Sequence, residues 1–145
     1  MIAEVDEQLL PPDYEPSDKE DYMNPLMLAF FKRQLLNWRG ELLEESAETI
    51  HAMQADTHEE PDIADRASTE TDRALELRTR DRERKLISKI DEALQRIEDG
   101  EYGYCEETGD PIGIARLIAR PIATLSIEAQ ERHERKERTQ MDQRV

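Results

Sequence analysis

Residues 57–69 read THEEPDIADRAST, a short polar segment that decides the fold because it separates two long stretches with no proline in their interiors. The first stretch covers about 25–59 and the second about 63–99. Proline interrupts a helix, so Pro61 between two such stretches predicts a turn between two long helices. A short connection makes consecutive helices antiparallel neighbours. The segment therefore predicts a helical hairpin with its tip at about 60–68.

Apolar residues on both predicted helices recur at steps of three and four residues, the spacing of a coiled-coil seam. Asn24 and Pro25 supply an N-cap and a first-position proline, and Gly100 ends the second helix. We therefore expect an antiparallel coiled coil over residues 25–99. The seam residues are Leu28, Phe31, Leu35, Trp38 and Leu42 on the first helix and Ile87, Ile90, Leu94 and Ile97 on the second.

The predicted seam becomes polar towards the turn, where only Met53 and Leu75 offer apolar contacts. A hairpin built for stability alone would keep its seam apolar throughout, so this gradient indicates that the tip is exposed for use. The polar seam positions are Glu45, Thr49, Arg73 and Glu76.

The segments on either side of the hairpin differ from it in composition. Residues 1–24 carry eight acidic residues, one lysine and three prolines, which indicates either a solvated tail or a docking arm laid along a partner element. Residues 100–129 contain glycines, prolines and alternating Ile and Leu, which predicts a turn-rich lobe, and Ser126 is placed to N-cap a closing helix. The predicted fold class is mainly α: a long antiparallel coiled-coil hairpin plus a small globular lobe with a C-terminal helix. The predicted domains are 1–24, 25–99 and 100–145.

The composition disfavours several classes of function. The chain has 145 residues and a formal net charge of −15, which argues against sequence-specific DNA binding and against a large enzyme. It has no nucleophile–base spacing and no Gly-rich phosphate loop, so we expect no catalysis. A single cysteine, the lack of a long apolar run and an N-terminus without signal-peptide features indicate a cytoplasmic protein that does not interact with membranes.

Two acidic residues, Asp62 and Asp65, flank an Ile-Ala pair at the predicted tip. As an N-cap and a third helical residue, they could simply satisfy free backbone N–H groups and favour the helix dipole. Alternatively, the two carboxylates reach a group buried in a partner, or recruit Mg²⁺, for which two ligands without a third are a weak set. The residues alone leave these alternatives open.

A basic stripe lies on one face of the second predicted helix, although the chain as a whole is acidic. Local Glu76–Arg80 and Asp81–Lys85 pairs could neutralise part of this region. The remaining charges are equally consistent with a solvated face and with a surface for an anionic partner or a phosphorylated ligand. The stripe comprises Arg78, Arg82, Lys85 and Lys89.

Cys105 is the single cysteine, and its surroundings do not provide the four ligands of a tetrahedral zinc site. The positions at which further ligands would follow hold Thr108, Ser126 and Ala129. We expect Cys105 to be a small buried packing residue, with a redox sensor as the alternative. We expect packing to hold the lobe together, through Ile112, Ile114, Leu117, Ile118, Ile122, Leu125 and Ile127.

Four segments of the chain resemble the DksA family of bacterial RNA polymerase-binding transcription factors, of the DksA/TraR type. The likeness is collinear over about residues 20–140, and the polar pattern of the second helix makes it more specific than a generic coiled coil. The segments are YMNPLMLAFFKRQLLNWRGEL at 22–42, PDIADRAS at 61–68, ELRTRDRERKLISKIDEAL at 76–94 and GYCEETGDPIGIARLIARP at 103–121.

The resemblance implies a mechanism. DksA-like proteins insert an antiparallel coiled coil into the secondary channel of RNA polymerase, where the tip approaches the active-site region. Together with the alarmone ppGpp, binding destabilises open promoter complexes and shifts transcription initiation during the stringent response. We accordingly expect a monomer that binds bacterial RNA polymerase and ppGpp and does not bind specific DNA sequences.

The resemblance also carries the tip residues of the family onto this sequence. The two acids and the alanine of the family tip match Asp62, Asp65 and Ala67. Arg82 matches a basic family position on the polymerase-facing side.

The ppGpp pocket of the family is shared between factor and polymerase. Its factor side corresponds here to Leu86, Lys89 and Arg120. A further basic family position, at the start of the last helix, is Gln130 in this chain, and this departure weakens the field that attracts phosphate.

The largest departure from the family concerns zinc, which most members hold with four cysteines. The corresponding positions here are Cys105, Thr108, Ser126 and Ala129, so we expect a paralogue that lacks the zinc site and acts without zinc. Two alternatives use the same shape. One is a secondary-channel interaction protein that competes with a zinc-containing DksA, and the other is a factor that stimulates transcript cleavage through its tip acids.

Overall fold

The computed structural model describes residues 10–55 and 63–143, and this part of the chain contains four helices. For residues 49, 52–55, 63–67 and 141–143 this description covers the backbone alone. The helices are α1 (Pro25–Ala55), α2 (Ile63–Asp99), α3 (Ile114–Ala119) and α4 (Ile127–Gln143). The predicted, mainly α fold class is confirmed, although the sequence pattern does not predict the short helix α3.

The predicted helix caps are present. The side-chain oxygen of Asn24 accepts a 3.0 Å hydrogen bond from the Met27 N–H at the start of α1. Gly100, with a φ of 75°, lies in the left-handed region at the end of α2. The Ser126 hydroxyl accepts a 3.3 Å hydrogen bond from the Ala129 N–H and caps α4 as predicted.

The chain forms two compact units. The lobe unit combines the described residues up to Leu35 with those from Glu92 onwards, and the hairpin unit comprises residues 36–91. Helices α1 and α2 therefore each contribute to both units. The predicted division into domains 1–24, 25–99 and 100–145 stays a prediction.

An aromatic core stabilises the lobe unit. Phe31 of α1 and Tyr102, three residues beyond α2, are buried, with ring centroids 5.6 Å apart. Leu35, Ile97 and Leu117 are fully buried in the same unit. Removing these side chains from water is the main favourable contribution to folding of this unit.

The predicted lobe core is partly correct. Ile112, Ile114 and Leu117 are buried, and Ile122 and Leu125 are half-buried. The prediction is wrong for Ile118 and Ile127, which are 52% and 55% exposed. Helix α3 buries Ile114 and Leu117, which lie on one face of the helix. Helix α4 buries the small Ala129 instead of its first residue, Ile127.

Residues 10–24 belong to the lobe unit and pack within it. Leu10 is buried, and the Tyr14 ring lies edge-on to Phe30 of α1, with centroids 6.2 Å apart. Met23 approaches Gly103 so closely that a Cβ on that glycine would lie 2.9 Å from the Met23 side chain.

The hairpin unit combines a short apolar seam with polar positions. Leu42 of α1 and Ile90 of α2 are buried, and the Arg39 Nε lies 2.8 Å from a carboxylate oxygen of Asp91. The predicted polar seam positions Arg73 and Glu76 are half-buried. Their half-burial agrees with the polar seam predicted for α2.

Two predicted seam positions are wrong. Glu45 is exposed and Leu75 is 53% exposed. On α1 the covered face continues instead from Leu42 to the half-buried Ser46, four residues further on. The predicted positions Thr49 and Met53 lie outside the described side chains. An unexpected seam residue is Glu83, which is buried although one carboxylate oxygen makes no hydrogen bond.

Candidate functional site

The predicted tip lies at the start of α2. This helix begins at Ile63, so Asp65 is its third residue and Ala67 its fifth. Asp62 lies outside the described residues, and the side chains of the other two tip residues are not part of the description. Capping by these acids and contact with a partner both stay predictions.

The basic stripe is an exposed edge of α2 in the hairpin unit. Arg78, Arg82, Lys85 and Lys89 are all exposed. The predicted Asp81–Lys85 ion pair is wrong, because Asp81 pairs with Arg84, whose guanidinium lies 3.1 Å from the carboxylate. None of the four stripe residues forms an ion pair within the described part of the chain.

The predicted ppGpp residues are divided between the two units. Leu86 is half-buried and Lys89 is exposed, one helical turn apart on α2 in the hairpin unit. Arg120 is exposed at the C-terminal end of α3 in the lobe unit, where its backbone N–H donates a 2.8 Å hydrogen bond to the Arg116 carbonyl. Leu86 and Lys89 are thus grouped on one helix, and Arg120 belongs to a different element.

Gln130 occupies the fourth position of α4. Its side-chain amide donates a 3.4 Å hydrogen bond to a carboxylate oxygen of Glu134. This neutral amide, already bonded to an acid of its own helix, provides no positive charge for a phosphate group.

Cys105 is buried in a tight loop of the lobe unit. Its backbone N–H donates a 2.8 Å hydrogen bond to the Asp110 carbonyl, and its carbonyl accepts one of 2.9 Å from Gly109. Burial raises the pKa of the thiol, but hydrogen bonds from the Thr108 side chain and from the backbone N–H groups of Ser126, Thr108 and Glu107 outweigh burial and lower the pKa to about 6. The predicted burial of Cys105 is confirmed.

Polar cross-links that the sequence analysis does not predict hold the loops of the lobe unit. The Arg96 guanidinium donates hydrogen bonds of 3.1 Å and 2.7 Å to the carbonyls of Glu101 and Tyr104, and it lies 3.4 Å from a carboxylate oxygen of Glu106. The Tyr102 hydroxyl donates a 2.8 Å bond to a backbone carbonyl, that of Pro121. A pattern search misses them because most acceptors are backbone atoms, which carry no sequence signal.

Comparison with known proteins gives the family of the chain. The family described as DnaK suppressor protein DksA, N-terminal domain, matches residues 27–97, and the prokaryotic dksA/traR C4-type zinc finger matches residues 100–135. The RNA polymerase-binding transcription factor DksA of Caulobacter vibrioides is 65% identical over 130 residues, which cover 90% of this chain and 92% of that protein. The chain belongs to the DksA family.

Other DksA relatives agree with this assignment. The RNA polymerase-binding transcription factor DksA of Escherichia coli K12 is 49% identical over 115 residues, covering 79% of this chain and 76% of that protein. The solved structure of transcription factor DksA2 from Pseudomonas aeruginosa has a TM-score of 0.74 and 47% identity, and the match covers 81% of this chain and 90% of that one. These relatives are named as transcription factors and not as enzymes.

The zinc of a C4-type finger does not fit the residues of this DksA-family chain. Cys105 is the single thiol, and the Ala129 side chain has no donor atom for a metal. Thr108 and Ser126 provide neutral hydroxyls that accept hydrogen bonds from the N–H groups of Asp110 and Ala129, at 3.2 Å and 3.3 Å. Across the described residues, no three His, Cys, Asp or Glu side chains come together in a way that could hold a metal ion.

Within the described part of the chain, no helix is both long and apolar enough to cross a membrane.

Proposed function

We propose that this protein is a cytoplasmic RNA polymerase-binding transcription factor that acts without catalysing a reaction of its own. The observation that carries this proposal is the 65% identity, across 90% of the chain, with a protein named for polymerase binding. Family names that describe transcription factors support a regulatory role. The net charge of −15 also favours a protein partner over DNA, because the phosphate backbone repels an acidic chain.

The proposed mechanism delivers the tip of the hairpin through the secondary channel of RNA polymerase. Asp62, Asp65 and Ala67 then act near the catalytic centre and change the stability of open promoter complexes. The polar character of the seam at Arg73 and Glu76 supports this role, because such positions contribute little to hairpin stability. The domains that this role requires are the coiled coil at 25–99 and the lobe at 100–145.

The deciding experiment is transcription from a ribosomal promoter with purified polymerase of the same bacterium. Asp65→Asn removes one tip charge with little change in volume, so we expect loss of regulation with nearly unchanged polymerase binding. Leu26→Gln is a matched control because Leu26 is 37% exposed on α1 and lies in the lobe unit. Full regulation by the Asn variant would contradict a mechanism centred on the tip.

The proposed co-effector is ppGpp, bound between this chain and polymerase. Lys89 and Arg120 supply cationic groups, Leu86 supplies an apolar contact, and Arg82 contacts polymerase. Exposure of Arg82, Lys89 and Arg120 supports this assignment, because none needs to break an ion pair within the described residues. The same promoter assay, with and without ppGpp, tests it: Lys89→Ala should reduce the ppGpp-dependent part and leave the basal effect.

The proposed activity is independent of zinc. The support is the donor set, in which one thiol and two hydroxyls replace the four thiolates that a C4 site requires. Metal analysis of the purified chain should find less than one zinc per ten chains, and regulation should survive a chelator. One equivalent of zinc per chain would contradict this part of the proposal and leave the polymerase assignment intact.

A further inference from the structure

Helix α1 carries a second apolar stripe besides the seam that packs against α2. The stripe follows steps of four, three, four and three residues, the spacing of a helix-packing face. Leu36 and Leu43 are 38% and 45% exposed, so neither is covered by the described part of the chain. We call this set the outer stripe; it consists of Leu36, Gly40, Leu43, Ala47 and Ile50.

The outer stripe has open space above it. A Cβ added at Gly40 would meet no heavy atom within 4 Å. Ala47 is exposed and Ile50 is half-buried. Gly40, between the two leucines, and Ala47, beyond Leu43, are small enough to let another helix approach the backbone closely.

The Arg39–Asp91 ion pair shows which edge of α2 lies beside the outer stripe. Arg39 follows Leu36 by three residues and precedes Leu43 by four, so it shares their side of α1. Its partner Asp91 is 2.8 Å away on α2. The side of α2 that carries Asp91 therefore borders the outer stripe.

That edge of α2 is basic and partly apolar. Counting back from Asp91 by 4, 7, 11 and 14 residues gives Ile87, Arg84, Arg80 and Leu77, which share one side of the helix. Leu77 is 47% exposed, and the Arg84 side chain is 80% exposed although it pairs with Asp81.

This edge is distinct from the basic stripe described above. Lys89 lies two residues from Asp91, and residues two apart point to nearly opposite sides of a helix. The basic stripe and the outer stripe therefore face different directions, and a contact made by one leaves the other uncovered.

We propose that the outer stripe and the Arg80–Arg84 edge form a docking groove for an amphipathic α-helix of RNA polymerase. The heptad spacing favours a helical partner. The leucines favour apolar residues along one face of that partner helix, and the arginines favour acidic residues along its adjacent edge. This inference rests on the proposed function, because polymerase is the partner that the proposed function supplies. A second copy of the chain is the rival occupant, and the net charge of −15 on each copy opposes it.

The test measures the affinity of the full-length chain for core RNA polymerase of the same bacterium. Leu43→Gln places a polar amide in the apolar part of the groove, and Arg84→Glu reverses charge at its edge. Each should weaken binding by about fivefold or more, as expected for a contact near the centre of an interface. The defect of Arg84→Glu should shrink at high salt, whereas that of Leu43→Gln should persist.

Matched controls separate docking from folding and from the local ion pair. Leu26→Gln alters another partly exposed leucine of α1, outside the groove, and Asp81→Asn removes the partner of Arg84 without reversing charge. Both should bind like the unmodified chain. Thermal melting should show that all four variants remain folded, because the changed residues are at the surface.

Each outcome decides a different point. Unchanged binding by Leu43→Gln and Arg84→Glu would overturn the groove while leaving polymerase binding established. Failure of the unmodified chain to bind would overturn the proposed function and the groove together. A dimer in sedimentation at micromolar concentration that Leu43→Gln converts to a monomer would assign the groove to a second copy and overturn the polymerase helix.

Discussion

The Tyr22 hydroxyl donates a 2.7 Å hydrogen bond to the carbonyl of Gly103, which ties the segment before α1 to the loop after α2. The same oxygen accepts a 3.0 Å bond from the Gly113 N–H, and the Tyr22 ring lies edge-on to Tyr104. One side chain thus satisfies two backbone groups on either side of the loop that contains Cys105.

Replacing Tyr22 with phenylalanine should destabilise the lobe unit. The ring can stay in place, but a backbone N–H and a carbonyl lose their partner, which costs about 1–3 kcal/mol of the free energy of unfolding. Urea denaturation measures the loss. Tyr14→Phe is the control, because the Tyr14 hydroxyl donates to a side chain, that of Glu20, and not to a backbone carbonyl. Equal effects of the two changes would refute a special role for Tyr22.

Replacing Glu83 with leucine should stabilise the protein. Glu83 is 7% exposed, and the unbonded carboxylate oxygen carries a desolvation cost that an apolar side chain avoids. We expect a gain on the order of 1 kcal/mol, with a raised urea midpoint and an unchanged slope. Glu44→Leu, at an exposed position of α1 in the same unit, should shift stability by less than about 0.5 kcal/mol. A lowered midpoint for Glu83→Leu would show that the carboxylate stabilises the hairpin.

Alkaline conditions should destabilise the folded state through its tyrosines. Burial, reinforced by the Glu20 carboxylate, raises the pKa of Tyr14 to about 12, and burial also raises the pKa of Tyr22 and of Tyr102. Because the neutral phenol is favoured in the folded state, its stabilisation is complete below the ordinary pKa of 10.0 and is lost as the pH rises through the folded pKa.

Urea midpoints measured from pH 8 to pH 12 test this dependence, with stability expected to fall above about pH 10. Tyr14→Phe should show a shallower fall, because one of the titrating phenols is absent. A stability that rises over this range would contradict the direction of all three shifts.

Arg96→Lys should lower the free energy of unfolding, although the substitution keeps the positive charge. The Arg96 side chain is 16% exposed and reaches two carbonyls and a carboxylate from one planar group, a geometry that an ammonium cannot reproduce. We expect a loss of about 1–3 kcal/mol in unfolding free energy. Arg39→Lys is the comparison. The side chains of Arg39 and of its partner Asp91 are 36% and 51% exposed, so this ion pair should contribute less than about 1 kcal/mol to the unfolding free energy.

The long helices could be predicted because their signals are local and repeated. Steps of three and four residues, an Asn-Pro start and a glycine stop place the start of α1 at Pro25 and the ends of α2 at Ile63 and Asp99. Within the lobe the signal fails. The alternating Ile and Leu residues suggest a uniform core, but Ile118 is exposed. It follows the buried Leu117 directly on the six-residue α3, and adjacent residues of a helix point in different directions.

The candidate site also contains positions that the sequence predicts and contacts that it does not. Positions on one helix, such as Arg82, Leu86 and Lys89, follow from spacing along α2. The bonds of Tyr22 join residues 81 and 91 positions apart, and no periodicity in a single sequence encodes such a pair. The roles of Asp62, Asp65 and Ala67 stay predictions that the transcription assay tests.

The close fit of Met23 against Gly103 affects how the gene can be shortened. A deletion that starts the protein at Pro25 would look harmless from sequence, since eight of the removed residues are acidic and three are prolines. The deletion would in fact expose the aromatic ring of Phe30, which Tyr14 contacts. It would also remove the Tyr22 hydroxyl that bonds to Gly103 and Gly113 and leave a cavity at the position of Met23. Such a shortened product should precipitate or be degraded in cells, and its inactivity would reveal nothing about contacts made by the missing residues.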